Sequence, residues 1–158
     1  MALLDIVKAG DPVLKQIATP IEKVDSKIRK LMENMAETMY KADGVGLAAP
    51  QVGQSIRLVV IDVGDDNGLV EMVNPVITHR EGTEIGQEGC LSVPNVFGDV
   101  ERAEKVSVDY LNRWGKKKHL TAKGLMARCI QHELDHLEGT LFIDVAKTIK
   151  QGENKCAN

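Results

Sequence analysis

The pattern of apolar and polar positions divides the chain into a few strong elements. Between Asp25 and Tyr40, Ile28, Leu31, Met32, Met35 and Met39 recur at helical spacing, with Lys27, Arg29, Lys30, Glu33 and Glu37 on the opposite face. This predicts an amphipathic helix whose methionine stripe packs in the core. A short helix is expected in DPVLKQIA (11–18), with Asp11 as N-cap and Pro12 at the first helical position. IRLVVIDV (56–63) reads as a buried strand and DDNG (65–68) as a turn. LVEMVNPVITHREG (69–82) reads as a strand disturbed at Pro75, hence at an edge or a bulge. KVSVDYL (105–111) alternates with period two, NRWG turns the chain, and KKKHLTA (116–122) leads it back. EGCLSVPNVFG (88–98) reads as a loop punctuated by glycine and proline, and ADGVGLAAPQVGQ (42–54) cannot be regular helix.

The last strong element runs from about Lys123 to Leu137, preceded by Thr121 or Ala122 and ended by Gly139. Leu125, Cys129, His132 and His136 share one of its faces, with Ile130 and Leu137 beside it. From about residue 147 the chain becomes a polar tail. No repeat or linker interrupts the pattern, so one domain over 1–158 is expected. Its class is α+β, mainly antiparallel strands packed around a central helix that carries the H-E-x-x-H motif.

Composition narrows the function classes. Aromatics make up only 3% of the residues, so the core must be aliphatic and methionine-rich. A net charge of −3 leaves no electrostatic footprint for nucleic acid. No apolar run approaches the roughly 20 residues of a membrane helix. The start, MALLDIVKAGDP, shows no secretory leader, and three widely separated cysteines (Cys90, Cys129 and Cys156) make no disulfide framework. A cytoplasmic setting is expected, with thiols reduced and available to a metal.

His132 and His136 lie one turn apart on the same helical face, so their imidazoles can converge on one ion. Glu133, rotated by 100°, can approach a water on that ion without being a ligand, which is the physical content of H-E-x-x-H. Two histidines on a charged helix are often simply solvated. Here the neighbouring Leu125, Cys129 and Ile130 predict a partly buried site, where an unsatisfied histidine pair would be costly. A third ligand must come from elsewhere. Position 142 is Phe142, which excludes the long protease motif whose third histidine falls there. Glu153 lies in the tail, and Cys90, between Gly89 and Leu91, is the better candidate. Cys129 is a poor one, because it lies about 10 Å from His136 along the axis at roughly 1.5 Å per residue.

Three segments in order resemble the motifs of the peptide deformylases. GVGLAAPQ (44–51) is similar to G-x-G-x-A-A-x-Q, EGCLS (88–92) to E-G-C-x-S, and QHELDH (131–136) to Q-H-E-x-D-H, within a likeness extending from Asp11 to Asp144. The resemblance implies a hydrolase that removes the formyl group from the N-terminal methionine of nascent polypeptides. It implies one divalent metal ion held by Cys90, His132 and His136, Fe(II) in the family with Zn, Ni or Co as substitutes. Metal-bound water would be the nucleophile, Glu133 the general base and then acid, and Gln51 and the Leu91 N–H the oxyanion donors. Gly44, Gly46 and Gly89 would lie along an extended substrate, and Val45, Leu125 and Cys129 would line a slot for the methionine side chain.

The remaining expectations are modest. Glu88 and Arg102 could form a supporting ion pair, and Asp135 a hydrogen-bond partner behind the site. His79, His119 and the run Lys116 to Lys118 read as solvated. Lys147, Lys150 and Lys155 in the tail could touch the ribosome. Two other readings stay open from the helix alone: a zinc endopeptidase of the H-E-x-x-H type, and a non-catalytic metal-binding module.

Overall fold

The computed structural model describes residues 3–151. After a 3-10 turn at Pro12–Lys15, capped by the Asp11 carboxylate accepting from the Val13 N–H, the first long element is α1, Ser26–Lys41. Asp25 caps it by accepting from the Ile28 N–H at 3.0 Å, because the first-turn amides of a helix have no partner within it. Met32, Met35 and Met39 are fully buried, each contributing about 1.5–3 kcal/mol by leaving water.

Among the described residues eight strands follow the order β1 (Gly46–Ala48), β2 (Leu58–Ile61), β3 (Val70–Glu81), β4 (Glu84–Cys90), β5 (Val93–Arg102), β6 (Lys105–Leu111), β7 (Lys117–Lys123) and β8 (Thr148–Gln151). Two helices lie between the last two strands, α2 (Gly124–Leu137) and the single turn α3 (Phe142–Val145). All strand pairs are antiparallel, in a five-stranded sheet ordered β1-β2-β3-β6-β7 and a three-stranded sheet ordered β4-β5-β8.

The unbroken apolar run of β2 is explained by burial on both sides. Val59 and Ile61 face one core with Met126, Cys129 and Ile130 of α2. Leu58 and Val60 face another, with Met32, Met35 and Met39 of α1. The sheet is thus sandwiched between the two helices, and α2 is central, as the sequence predicts. A third, smaller core gathers Cys90, Val93, Val100, Leu141 and Phe142 where α3 covers the three-stranded sheet.

The irregularity at Pro75 is a register shift between Val73 and Val76. Pro75 offers no N–H, and Asn74 before it takes a positive φ of 51°. The Asn74 side chain bonds both the Ile21 N–H and the Ile21 carbonyl at 2.8 Å, tying the bulge to the N-terminal segment.

Three boundaries depart from the sequence reading. The stretch 88–98 is a hairpin rather than a loop: Cys90 pairs with Val93 across a turn made by Leu91 and Ser92. Strand β7 continues to Lys123, which occupies the N-cap position of α2 itself and gives no side-chain cap. In the tail, 148–151 form strand β8 against Val96–Asp99, because β5 needed a partner for its second edge. Residues 152–158, with Cys156, Glu153 and Lys155, lie outside the described residues. Gly139 ends α2 as expected, with φ 75° and the Lys15 carbonyl oxygen only 2.5 Å from where a Cβ would sit. No helix among the described residues is long and apolar enough to cross a membrane.

Candidate metal centre

Helix α2 presents His132 and His136 one turn apart, with ring centroids 5.1 Å from each other and both rings buried. Cys90, at the end of β4, comes up beside them with its Sγ 3.4 Å from His136 Nε2. The donor atoms of Cys90, His132 and His136 all lie within 4.8 Å of one another.

His132 Nδ1 is 2.9 Å from the Glu88 carboxylate, so the Nδ1–H tautomer directs the free Nε2 lone pair inward. That Nε2 is buried and without a partner in the protein, as is His136 Nδ1. A buried polar atom left unpaired costs several kcal/mol, on the order of 2–7, unless something satisfies it. A thiol and two imidazoles converging around an orphaned nitrogen fit a divalent ion of intermediate softness, with room for a fourth ligand.

Glu133 is fully buried, and neither carboxylate oxygen has a partner in the protein. Burial pushes its pKa up to about 7, even though the charge on His132 pulls the other way. That value suits a group that must take and return a proton near neutral pH. Without an ion, burial would lower His132, but the nearby Cys90 sulfur and the Glu88 carboxylate hold it well above the usual histidine range; an ion on Nε2 would take the place of that proton. Burial, followed by the charge of His132, drives His136 well below that range.

Glu88 anchors this arrangement. It receives Arg102 through Nε and Nη2 (both 2.9 Å), Arg128 through Nη1 (2.7 Å) and His132 through Nδ1. Burial opposes its ionisation, yet the bonds from His132 and Arg102 prevail and hold the carboxyl well below the ordinary range. Arg102 Nη1 continues to Asp135 at 2.6 Å, so both supporting partners expected from the sequence are in place.

Gln51, fully buried in a 3-10 turn, accepts from the Ala48 N–H at 3.0 Å through its Oε1. Its Nε2 donates to Ser92 Oγ at 3.2 Å and lies 3.5 Å from Cys90 Sγ. Leu91 follows Cys90 in the hairpin turn and is nearly buried.

The glycines of the first segment have an internal reason that the sequence reading did not supply. A Cβ on Gly46 would lie 2.5 Å from Glu133 Oε2, and one on Gly44 would lie 2.9 Å from Leu91 Cδ1. The open space beside them is occupied by the protein's own side chains. Val45 is half-buried against the α2 core, Gly89 is buried beside Cys90, and Cys129 is fully buried. Leu125, by contrast, is 54% exposed, so this end of the histidine face lies open where burial was expected. It lies in the first turn of α2, where its neighbours Met126 and Ala127, not Leu125, pack into the core under the sheet.

Three contributors escaped sequence reasoning. Ser92 steadies Gln51. Phe142 stacks on His132 at 6.2 Å between centroids. Arg128 reaches Glu88 from one turn before His132, and that i, i+4 spacing was the available signal. His79 and His119 are exposed and face Glu81 and Asp109 respectively.

The family model for polypeptide deformylase matches residues 3–152. A peptide deformylase of Halothermothrix orenii is 53% identical over 97% of this chain and 98% of its own length. One from Caldanaerobacter subterraneus is 56% identical over 91% of this chain and 89% of its own. The crystal structure of peptide deformylase from Thermotoga maritima has a TM-score of 0.89 and 46% identity, covering 92% of this chain and 99% of that one. With matches across nearly its full length, this chain belongs to the polypeptide deformylase family.

Proposed function

We propose that Cys90, His132, His136 and Glu133, together with Gln51 and the Leu91 N–H, carry out the deformylation of nascent formyl-methionyl polypeptides on which the family acts. The observation that carries this assignment is the convergence of three donor atoms within 4.8 Å beside a buried carboxylate with no other partner. An ion bound by those donors supplies Lewis acidity to the attacking water and to the formyl carbonyl.

Everything else falls to the chain. Glu133 takes the proton of the attacking water and delivers it to the departing amine. Its pKa of about 7 leaves it able to do both. The Gln51 amide and the Leu91 N–H stabilise the oxyanion that develops from the formyl oxygen, and such a donor is worth about 2.7–4 kcal/mol. Ser92 and the Ala48 N–H hold Gln51 in one orientation, so little reorganisation remains for the reaction itself. Gly44, Gly46 and Gly89 offer backbone to an extended peptide. Val45, Leu125 and Cys129 line the methionine slot, with the exposed Leu125 at its mouth.

The ion is Fe(II), with Zn, Ni or Co as substitutes, and elemental analysis of anaerobically purified protein against activity per metal decides it. The test of the function is competition between formyl-Met-Ala and an internally cleavable peptide. Release of formate without internal cleavage supports deformylation, and internal cleavage restores the endopeptidase reading. The setting is the cytoplasm, where nascent chains emerge. A ribosome contact through the tail is tested by replacing Lys147, Lys150 and Lys155 together with Ala; unchanged co-sedimentation disposes of it. Lys147 is paired with Glu101 at 3.5 Å.

A further inference from the structure

Arg128 belongs to neither the metal donors nor the oxyanion donors, yet it is buried and bonds across to two strands. Its guanidinium leaves α2 and reaches the hairpin formed by β4 and β5. Nη1 donates to Glu88 Oε2 at 2.7 Å and to the Val100 carbonyl at 3.0 Å, and Nη2 donates to the Glu84 carbonyl at 3.0 Å. Strand β4 continues from Glu88 through Gly89 to Cys90. The histidines stand one and two turns further along the helix that carries Arg128.

We infer that Arg128 is a positioning residue that fixes the distance between the strand bearing Cys90 and the helix bearing His132 and His136. The inference rests on the assignment of those three residues as metal ligands. A planar guanidinium with several forked donors suits this task, because bonds in fixed directions to two strands allow little sliding. A lysine would offer the charge without the fork.

Gly86 is the counterpart that makes room. A Cβ there would lie 3.0 Å from both Cζ and Nη2 of Arg128, closer than ordinary contact. The far end of an arginine normally yields to such a contact. Here its acceptors hold it, so the strain passes to β4. The glycine and the arginine therefore form one fitted pair. Through Glu88, which also accepts from His132 Nδ1, the pair bears on ligand orientation as well as spacing. Groups that orient metal ligands in this way commonly change metal affinity by about 10- to 100-fold.

The test uses the full chain and two readouts that do not depend on turnover: Co(II) affinity by competition with a chelator, and the visible absorption bands of the Co(II) form. Arg128→Leu is expected to weaken binding by about 10-fold or more and to shift the bands, while Arg128→Lys recovers part of the affinity. Gly86→Ala is expected to weaken binding several-fold in the parent and to have no effect when combined with Arg128→Leu. Should Arg128→Leu fail to fold, Gly86→Ala carries the test, since it removes no charged group. Parent-like affinity and bands in Arg128→Leu, or equal effects of Gly86→Ala with and without Arg128, overturn the inference. Cys90→Ala serves as the control. If it keeps its Co(II), the ligand assignment itself falls; if it loses Co(II) while the Arg128 and Gly86 variants hold theirs, only the role of Arg128 falls.

Discussion

Replacing Glu88 by glutamine removes one negative charge from a nearly dry site while keeping its shape. In the native protein this side chain is 2% exposed and accepts four bonds of 2.7–2.9 Å from Arg102, Arg128 and His132. Deleting one partner of a buried ion pair typically costs about 3–5 kcal/mol, because the remaining charge stays desolvated. Two features place Glu88→Gln near the low end of that range. Arg102 keeps Asp135, and Arg128 keeps two backbone carbonyls. A loss of about 3 kcal/mol is therefore expected in urea unfolding of the metal-free protein. His132 also loses the anion that orients its ring, so metal affinity should fall by about 10- to 100-fold.

The pH dependence has a definite sign. The Glu88 carboxyl is depressed in the folded state, so its contribution is fully present above the unfolded value of about 4.3 and is lost progressively as pH falls from there through the much lower folded value. The parent should lose stability on acidification more steeply than Glu88→Gln, and the two curves should approach each other below about pH 4. A variant with the parent's urea midpoint and metal affinity would refute the view that this carboxylate holds the centre together.

The other predictions concern the centre directly. Cys90→Ala should lose most bound metal and activity, whereas Cys129→Ala should keep its metal, as elemental analysis will tell; the reverse order would relocate the site. Glu133→Ala should bind metal normally and lose nearly all turnover, and a metal-free variant would contradict its role as a base. Gln51→Ala should lower kcat more than it raises KM, with a cost of about 2.7–4 kcal/mol, since an oxyanion donor acts in the transition state. Gly46→Ala should displace the Glu133 carboxylate, whose Oε2 would lie 2.5 Å from the new methyl group. Its kcat should fall by about 10²-fold at unchanged metal content, and parent-like kcat would show that Glu133 need not stand where it does.

The sequence was most legible where one physical rule dominated. The methionine stripe fixed α1, and the β2 run showed its double burial through the lack of alternation. The i, i+4 histidines marked a helix face that could hold an ion, and Cys90 joins them there. It was least legible where partners far apart in the chain decide the outcome. The hairpin at 88–98 looked like a loop because glycine and proline mark turns locally, whereas β4 pairs along β5 and β8, some fifty residues later, covers part of its other edge. Gly46 was read as backbone for an extended substrate, and nothing in a local window reveals that its missing Cβ also makes room for Glu133. The spacing of Arg128 to His132 hinted at a shared face, but not at its acceptors on β4 and β5, which belong to another layer of the fold.

Strands β3 and β6 are neighbours in the large sheet, and Glu81 pairs with Lys105 at the base of everything between them. The stretch 82–104, which delivers Cys90, is therefore an excursion whose ends are joined by the sheet itself. Closing a free loop of that length costs about 3 kcal/mol in chain entropy plus a constant, beyond that of ordering the loop. Pairing β3 with β6 meets the closure cost independently of where the thiol sits. Bringing a donor to the helix from 42 residues upstream thus becomes a local search within a tethered hairpin. Such a layout lets the excursion vary in length or sequence around a fixed sulfur without disturbing the sheet that supports the histidines.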